Sequence, residues 1–91
     1  MPDIKENIKT TVMETKIKVK EILNKYIFDK SIWDTAPENP NIIKDLKINS
    51  ARIVDIVLDI EDQFDIEIDD ESLENIFTLN DIIDIIAKKQ A

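Results

Sequence analysis

Residues 45–68 read DLKINSARIVDIVLDIEDQFDIEI, and the order of polar and aliphatic side chains along this stretch decides the fold. From Asn49, a residue type suited to capping a helix N-terminus, an amphipathic helix is predicted to run to about Asp65. At about 100° per residue, Ile53, Val57, Ile60 and Phe64 gather on one side with Val54 and Leu58 flanking them, while Asp55, Asp59 and Asp62 stand opposite. Like charges at that spacing weaken an isolated helix by roughly a few tenths of a kcal/mol per pair, so helix stability does not account for the acidic stripe. A solvated face accounts for it, and so does a surface that meets a basic partner. The start of the stripe, little more than one turn from Ser50, favours the second reading.

Upstream, Val19, Ile22, Leu23, Tyr26 and Ile27 recur at helical spacing and predict a first helix through about Phe28. Ile4, Ile8 and Val12 continue a similar spacing behind Pro2, but Thr10 and Thr11 are mediocre helix formers. Residues 1–14 are therefore read as an N-terminal extension, helical or mobile, and residues 15–91 as one domain. Between Asp29 and Asn49, Pro37 and Pro40 with Asn39 and Asn41 forbid a continuous helix. The long loop expected there needs anchors, for which Ile32, Trp33, Ile42, Ile43, Leu46 and Ile48 are the candidates. Downstream, Asp69-Asp70-Glu71 loads acids where a short helix is expected through about Ile76, and Thr78 with Asp81 resembles a capping box for a last helix. There Leu79, Ile82, Ile83 and Ile86 form the buried stripe, with Lys88 and Lys89 at the C-terminal end. The expected fold is all-α: a small four-helix bundle of three longer helices and one short one, with a long loop after the first.

What the composition lacks narrows the chemistry. Among 91 residues there is no histidine, cysteine or glycine. A serine hydroxyl is a weak nucleophile without an adjacent base, so a Ser-His-Asp triad is excluded. Glycine-rich phosphate loops are excluded with it. No activated group points to an enzyme, and no metal site is expected. A calcium loop counted from Asp65 places Asp70 where glycine is required and Ile76 where a bidentate acid is required. The absence of cysteine agrees with a reducing cytoplasm. The first residues hold no apolar run of signal-peptide length, and no segment approaches the roughly 20 apolar residues of a membrane span.

Net charge is −8, unevenly spread. Residues 1–30 carry seven lysines against five acids, whereas residues 31–91 carry five basic residues against fifteen acids. Such a field repels nucleic acid and anionic lipid, and steers the domain towards basic protein surfaces.

The quoted stretch, continued by DDESLENIFTLNDIIDII, resembles an acyl carrier protein without gaps from Asp45 to Ile86. The likeness takes in the serine, the acidic helix, the turn from Phe64 to Ile68 and the closing Thr-Leu-x-x-Ile-Ile helix; residues 15–44 resemble the family more loosely. It implies a carrier whose Ser50 receives a 4′-phosphopantetheine arm through a phosphodiester, the arm's thiol holding acyl groups as thioesters. It implies a phosphopantetheinyl transferase and acyl-transferring or synthase enzymes with basic surfaces as partners, docking on Asp55, Asp59, Glu61 and Asp62, and a cytoplasmic monomer. Ile53, Val54, Val57, Leu58, Ile60, Ile82 and Ile83 are the expected walls of an acyl pocket, unless they form an ordinary core. The family commonly places Asp-Ser-Leu at the attachment point after a glycine, whereas this chain reads Lys47-Ile48-Asn49-Ser50-Ala51, followed by Arg52. Those departures leave the fold untouched and bear on which enzymes recognise the carrier. A carrier of aminoacyl or specialised acyl groups is one alternative. An unmodified acidic interaction module, in which Ser50 only starts a helix, is the other.

Overall fold

A computed structural model describes the backbone of residues 4–90 and the side chains of residues 13–90. Five α-helices follow one another: α1 (Ile4–Asn24), α2 (Ile32–Thr35), α3 (Ile53–Phe64), α4 (Asp70–Glu74) and α5 (Leu79–Gln90), with a 3₁₀ turn, Ser50–Arg52, leading directly into α3. The helical bundle expected from periodicity is present, with α2 as an additional single turn inside the long loop. From residue 4 onwards the expected extension is already helical and continuous with α1. Pro2 and the side chains of Ile4, Ile8 and Val12 lie outside the described residues.

The bundle closes on aliphatic side chains spaced three and four apart. Val19, Ile22 and Leu23 of α1 meet Ile56, Val57 and Ile60 of α3 and Leu79, Ile82 and Ile86 of α5 in one cluster. Each is 6% exposed or less, so this face supplies most of the free energy that a domain of this size gains on folding. No buried side-chain nitrogen or oxygen among the described residues lacks a hydrogen bond.

α1 ends at Asn24, earlier than the Phe28 expected from sequence, because the following loop intercepts its last carbonyls. Lys30 Nζ donates to the carbonyls of Asn24 and Ile27, and the Trp33 indole N–H donates to Asn24 Oδ1 at 3.0 Å. The amides of Lys25, Tyr26 and Ile27 bond back three residues, tightening the last turn. Ile27 is buried there while Phe28 is left outside.

The long loop is pinned at its far end. The Ile42 amide donates to the Phe77 carbonyl at 2.9 Å and the Leu79 amide to the Pro40 carbonyl at 3.0 Å, an isolated antiparallel bridge of Asn41 with Thr78. Asn41 Oδ1 takes the amides of Ile43 and Lys44, and Asp45 Oδ2 takes the Asn41 amide at 2.7 Å. These local bonds satisfy backbone that no helix can serve. Of the expected anchors, Ile42, Leu46 and Ile48 are buried and Ile32 and Trp33 are half-buried against the core. Ile43 is 45% exposed, a departure from expectation: the Asn41 turn points it outward while Ile42 takes the core.

α3 stops at Asp65, whose φ of 53° turns the chain left-handed, and the Glu61 side chain then accepts the Ile68 amide at 2.8 Å. Asp69 caps α4 through the Ser72 amide, and Ser72's hydrogen bonds hold the Asp69 carboxyl below its ordinary range. The capping box of α5 forms with aspartate in the usual place of glutamate. Asp81 Oδ2 accepts the Phe77 and Thr78 amides at 2.9 Å, and Thr78 Oγ1 accepts the Asp81 amide at 3.2 Å.

Candidate functional site

Three consecutive devices present Ser50 to solvent. Lys47 takes a left-handed φ of 59°, which reverses the chain between two fully buried side chains, Leu46 and Ile48. Asn49 then caps the helix: its backbone is extended, its Oδ1 accepts the Ala51 amide at 2.9 Å and its carbonyl accepts the Arg52 amide at 2.9 Å. Ser50 opens the 3₁₀ turn, exposed, with no partner for its hydroxyl among the described residues. The anchor at Ile48 and the cap at Asn49 fix the backbone on one side while α3 fixes it on the other. An anionic group esterified to this oxygen would lie at the positive end of a helical run that extends to Phe64, where the helix dipole favours it while the Ala51, Arg52 and Ile53 amides stay bonded within the turn. Exposure leaves the Ser50 oxygen open to a substituent.

The acidic stripe is divided by the tertiary structure. Asp62 is exposed and makes no hydrogen bond or ion pair among the described residues. Asp55 pairs with Arg52 at 3.2 Å in an exposed contact, which is of little energetic weight. Asp59 is held by the body of the protein: the Tyr26 hydroxyl donates to its Oδ2 at 2.5 Å, and Lys25 Nζ lies 3.6 Å away. That hydrogen bond, with burial and the negative charge of Asp59, pushes the Tyr26 pKa up to about 12. Glu61 serves the turn after α3. Of the four carboxylates expected to dock partners, only Asp62 is thus uncommitted. The signal for the Asp59 contact was present in the sequence as Tyr26 within an otherwise aliphatic stripe, but its partner, 33 residues away, was not.

The expected acyl-pocket residues separate as well. Val57, Ile60 and Ile82 are buried together, and Ile53 and Ile83 pack at the edge of the same cluster. Val54 and Leu58 do not join them: at 55% and 56% exposed they point to solvent, flanking Asp62. Ile56, on the other flank of α3, is buried in their place. Periodicity located the buried face but set Val54 and Leu58 beside it, whereas the equally aliphatic Ile56 on the opposite flank is the one turned to the core. Beside Leu58, the end of α3 and the segment 66–69 enclose a cleft of about 640 Å³ with Ile66 and Ile68 on its wall and Glu61, Glu67 and Lys89 at its rim. No cluster of acids able to hold a metal ion occurs among the described residues. Among them, too, no helix is long and apolar enough to cross a membrane.

The family model described as "Phosphopantetheine attachment site" matches residues 34–86, a span that contains Ser50, α3, α4 and most of α5. The chain is 36% identical over 77 residues to an acyl carrier protein of Desulforapulum autotrophicum, covering 85% of this chain and 99% of that protein. It is 42% identical over 79 residues to one of Syntrophobacter fumaroxidans, covering 87% and 93%. With one of Thermotoga maritima it shares 38% identity over 73 residues, covering 79% and 86%.

Proposed function

The chain belongs to the acyl carrier protein family, a carrier with covalently attached 4′-phosphopantetheine and not a catalyst, and from that premise we propose that Ser50 is the attachment residue. One observation carries the assignment: within the matched span, Ser50 is exposed, unpartnered and held at the first turn of a capped helix. The arm supplies a thiol on which acyl groups ride as thioesters. The chain's own contribution is to hold the ester oxygen at a fixed point, to stabilise the phosphodiester charge at a helix N-terminus, and to offer no cysteine that competes for disulfide formation.

Partner enzymes with basic surfaces meet α3 on its outer face, where Val54 and Leu58 supply apolar contact and Asp62 and Asp55 supply charge. Neither nucleic acid nor membrane insertion has a place in this reading, and the carrier acts as a cytoplasmic monomer. Residues 15–91 form the carrier domain and residues 1–14 an addition to it, in keeping with relatives that match 85–87% of the chain. Its pathway is fatty acid or specialised acyl biosynthesis. The Asn49-Ser50-Ala51-Arg52 sequence favours a dedicated set of enzymes, because Asn49 keeps the cap but removes a charge, and Arg52 adds one of opposite sign.

Intact mass after co-expression with a transferase of broad specificity tests the assignment. The wild type is expected to gain the arm and Ser50→Ala to gain nothing. A gain that persists in Ser50→Ala refutes it, and no gain in either protein favours an unmodified interaction module.

A further inference from the structure

The stretch that holds Ser50 differs in charge from the acidic helices that follow it. Residues 53–91 carry twelve acids and two lysines, whereas the stretch 44–52 carries Lys44, Lys47 and Arg52 with Asp45 as its single acid. Where α1 ends, Lys25, Lys30 and Arg52 rim a shallow notch of about 530 Å³ that also contains Tyr26 and Ile27. Phe28 stands in it 101% exposed, the most exposed large apolar side chain of the described residues. Arg52 reaches this notch from two residues beyond Ser50, near enough for its charge to act on the Tyr26 hydroxyl. The carboxylates paired with these cations, Asp55 on Arg52 and Asp59 on Lys25, are held by exposed or partly exposed contacts at 3.2 and 3.6 Å, Asp29 between Phe28 and Lys30 is taken up by Ser31, and a second anion is free to share the Arg52 and Lys25 donors. Arg52 in particular offers a planar fork of five donors, of which the Asp55 contact uses one.

We propose that this notch is the resting place of the prosthetic arm: Arg52, with Lys25 and Lys30 behind it, draws the phosphodiester towards the end of α1, and the branched, apolar pantoyl portion lies on the Phe28 ring. The proposal rests on attachment at Ser50. One property that otherwise has no account is explained, an aromatic ring left wholly in water beside three cationic side chains. Charge sign selects the occupant: a tethered anion with an apolar branch matches cationic side chains beside an exposed aromatic ring. The cleft beside Leu58 sets Glu61, Asp62, Glu67 and Asp69 against Lys89 alone, and its net negative charge repels the same anion. The unloaded arm then rests on the α1 side of the serine, and loading or docking draws it across to α3.

The test uses the full-length holo protein, with mass spectrometry first to establish attachment and isotope-filtered NMR second to locate the arm. Expected are NOEs from the geminal methyl protons of the pantoyl group to the Phe28 ring, with those methyl signals displaced upfield of their positions in free pantetheine. Phe28→Leu should return the methyl signals to the free positions, and Arg52→Gln should weaken the NOEs; both substitutions are at exposed positions, and amide spectra check that the fold is retained. An arm that is attached but contacts Leu58 and Ile66, or contacts nothing, overturns the resting place alone. Lack of attachment overturns the assignment of Ser50 and this inference with it. Methyl shifts that are unchanged in Phe28→Leu overturn the inference too, and leave Phe28 as a contact for a partner protein.

Discussion

Lys47 is the residue whose substitution tests most sharply how Ser50 is positioned. It holds a φ of 59°, three residues before the serine, at the place the family commonly gives to glycine. An L-residue in the left-handed region is disfavoured by about 1–2 kcal/mol, because Cβ crowds the following carbonyl oxygen. Taking about 1 kcal/mol for a single exposed residue, glycine relieves that strain but adds back about 0.4–1 kcal/mol through the freedom it gives the unfolded chain. Lys47→Gly should therefore stabilise the domain by about 0.3 kcal/mol. Lys47→Val should destabilise it by about 1 kcal/mol, since a branched Cβ crowds further. At about 4–8 °C per kcal/mol for a domain of this size, the two variants should melt about 5–10 °C apart on either side of the wild type. Thermal unfolding followed by circular dichroism reads this directly. The strain cannot be shed by swinging the chain outward, because Leu46 and Ile48 are both 1% exposed and the Ile48 amide is bonded to the Ile42 carbonyl at 3.2 Å. If valine and glycine variants melt together, the left-handed turn is absent, and with it the geometry that presents Ser50.

Other substitutions separate the two faces of α3. Ile60→Ala should lose about 2–5 kcal/mol in chemical denaturation, as a fully buried isoleucine does, whereas Leu58→Ala should stay within about 0.5 kcal/mol and instead slow transfer to partner enzymes. Asp62→Lys should slow enzymatic transfer, with a strong dependence on salt, and leave the melt unchanged; equal transfer rates at low salt would refute a role in docking. Asp59→Lys differs in kind, because it removes the acceptor of the Tyr26 hydroxyl and should lower the melt as well. Tyr26 is the single tyrosine, so its ionisation is readable by absorbance at 295 nm, with an expected midpoint near 12 that falls towards 10 in Asp59→Asn. Because the folded value is the raised one, the stability it contributes is complete below pH 10 and is lost between about pH 10 and 12, an alkaline limb that Tyr26→Phe should lack. Asn49→Asp keeps the acceptor for the Ala51 amide and restores the acid common in the family, so it should speed modification by a broad-specificity transferase with little change in stability.

Much of this molecule is legible residue by residue. The buried face of α3, the capping box at Thr78 and Asp81, and the helix start at Asn49 follow from local rules, since each depends on side chains within one turn of one another. Differences from the local reading cluster where two distant segments compete for the same group. α1 stops four residues early because Lys30 and Trp33 claim its terminal polar groups. Asp59 is tied to the first helix because the Tyr26 hydroxyl donates to it. Val54 and Leu58 leave the interior because Ile56, equally aliphatic, is the flank turned towards the core.

Periodicity and capping chemistry, written in short-range spacing, were enough to specify an all-helical bundle, to place Ser50 at a helix mouth and to exclude catalysis by the chain's own groups. Long-range packing alone decided which carboxylates remain available to a partner, which flank of α3 is wet, and that a lysine carries the left-handed turn ahead of the serine. The division has a physical cause: a helix is fixed by contacts three and four residues apart, whereas the orientation of its flanks is fixed by whichever remote side chains bury the most apolar surface against it.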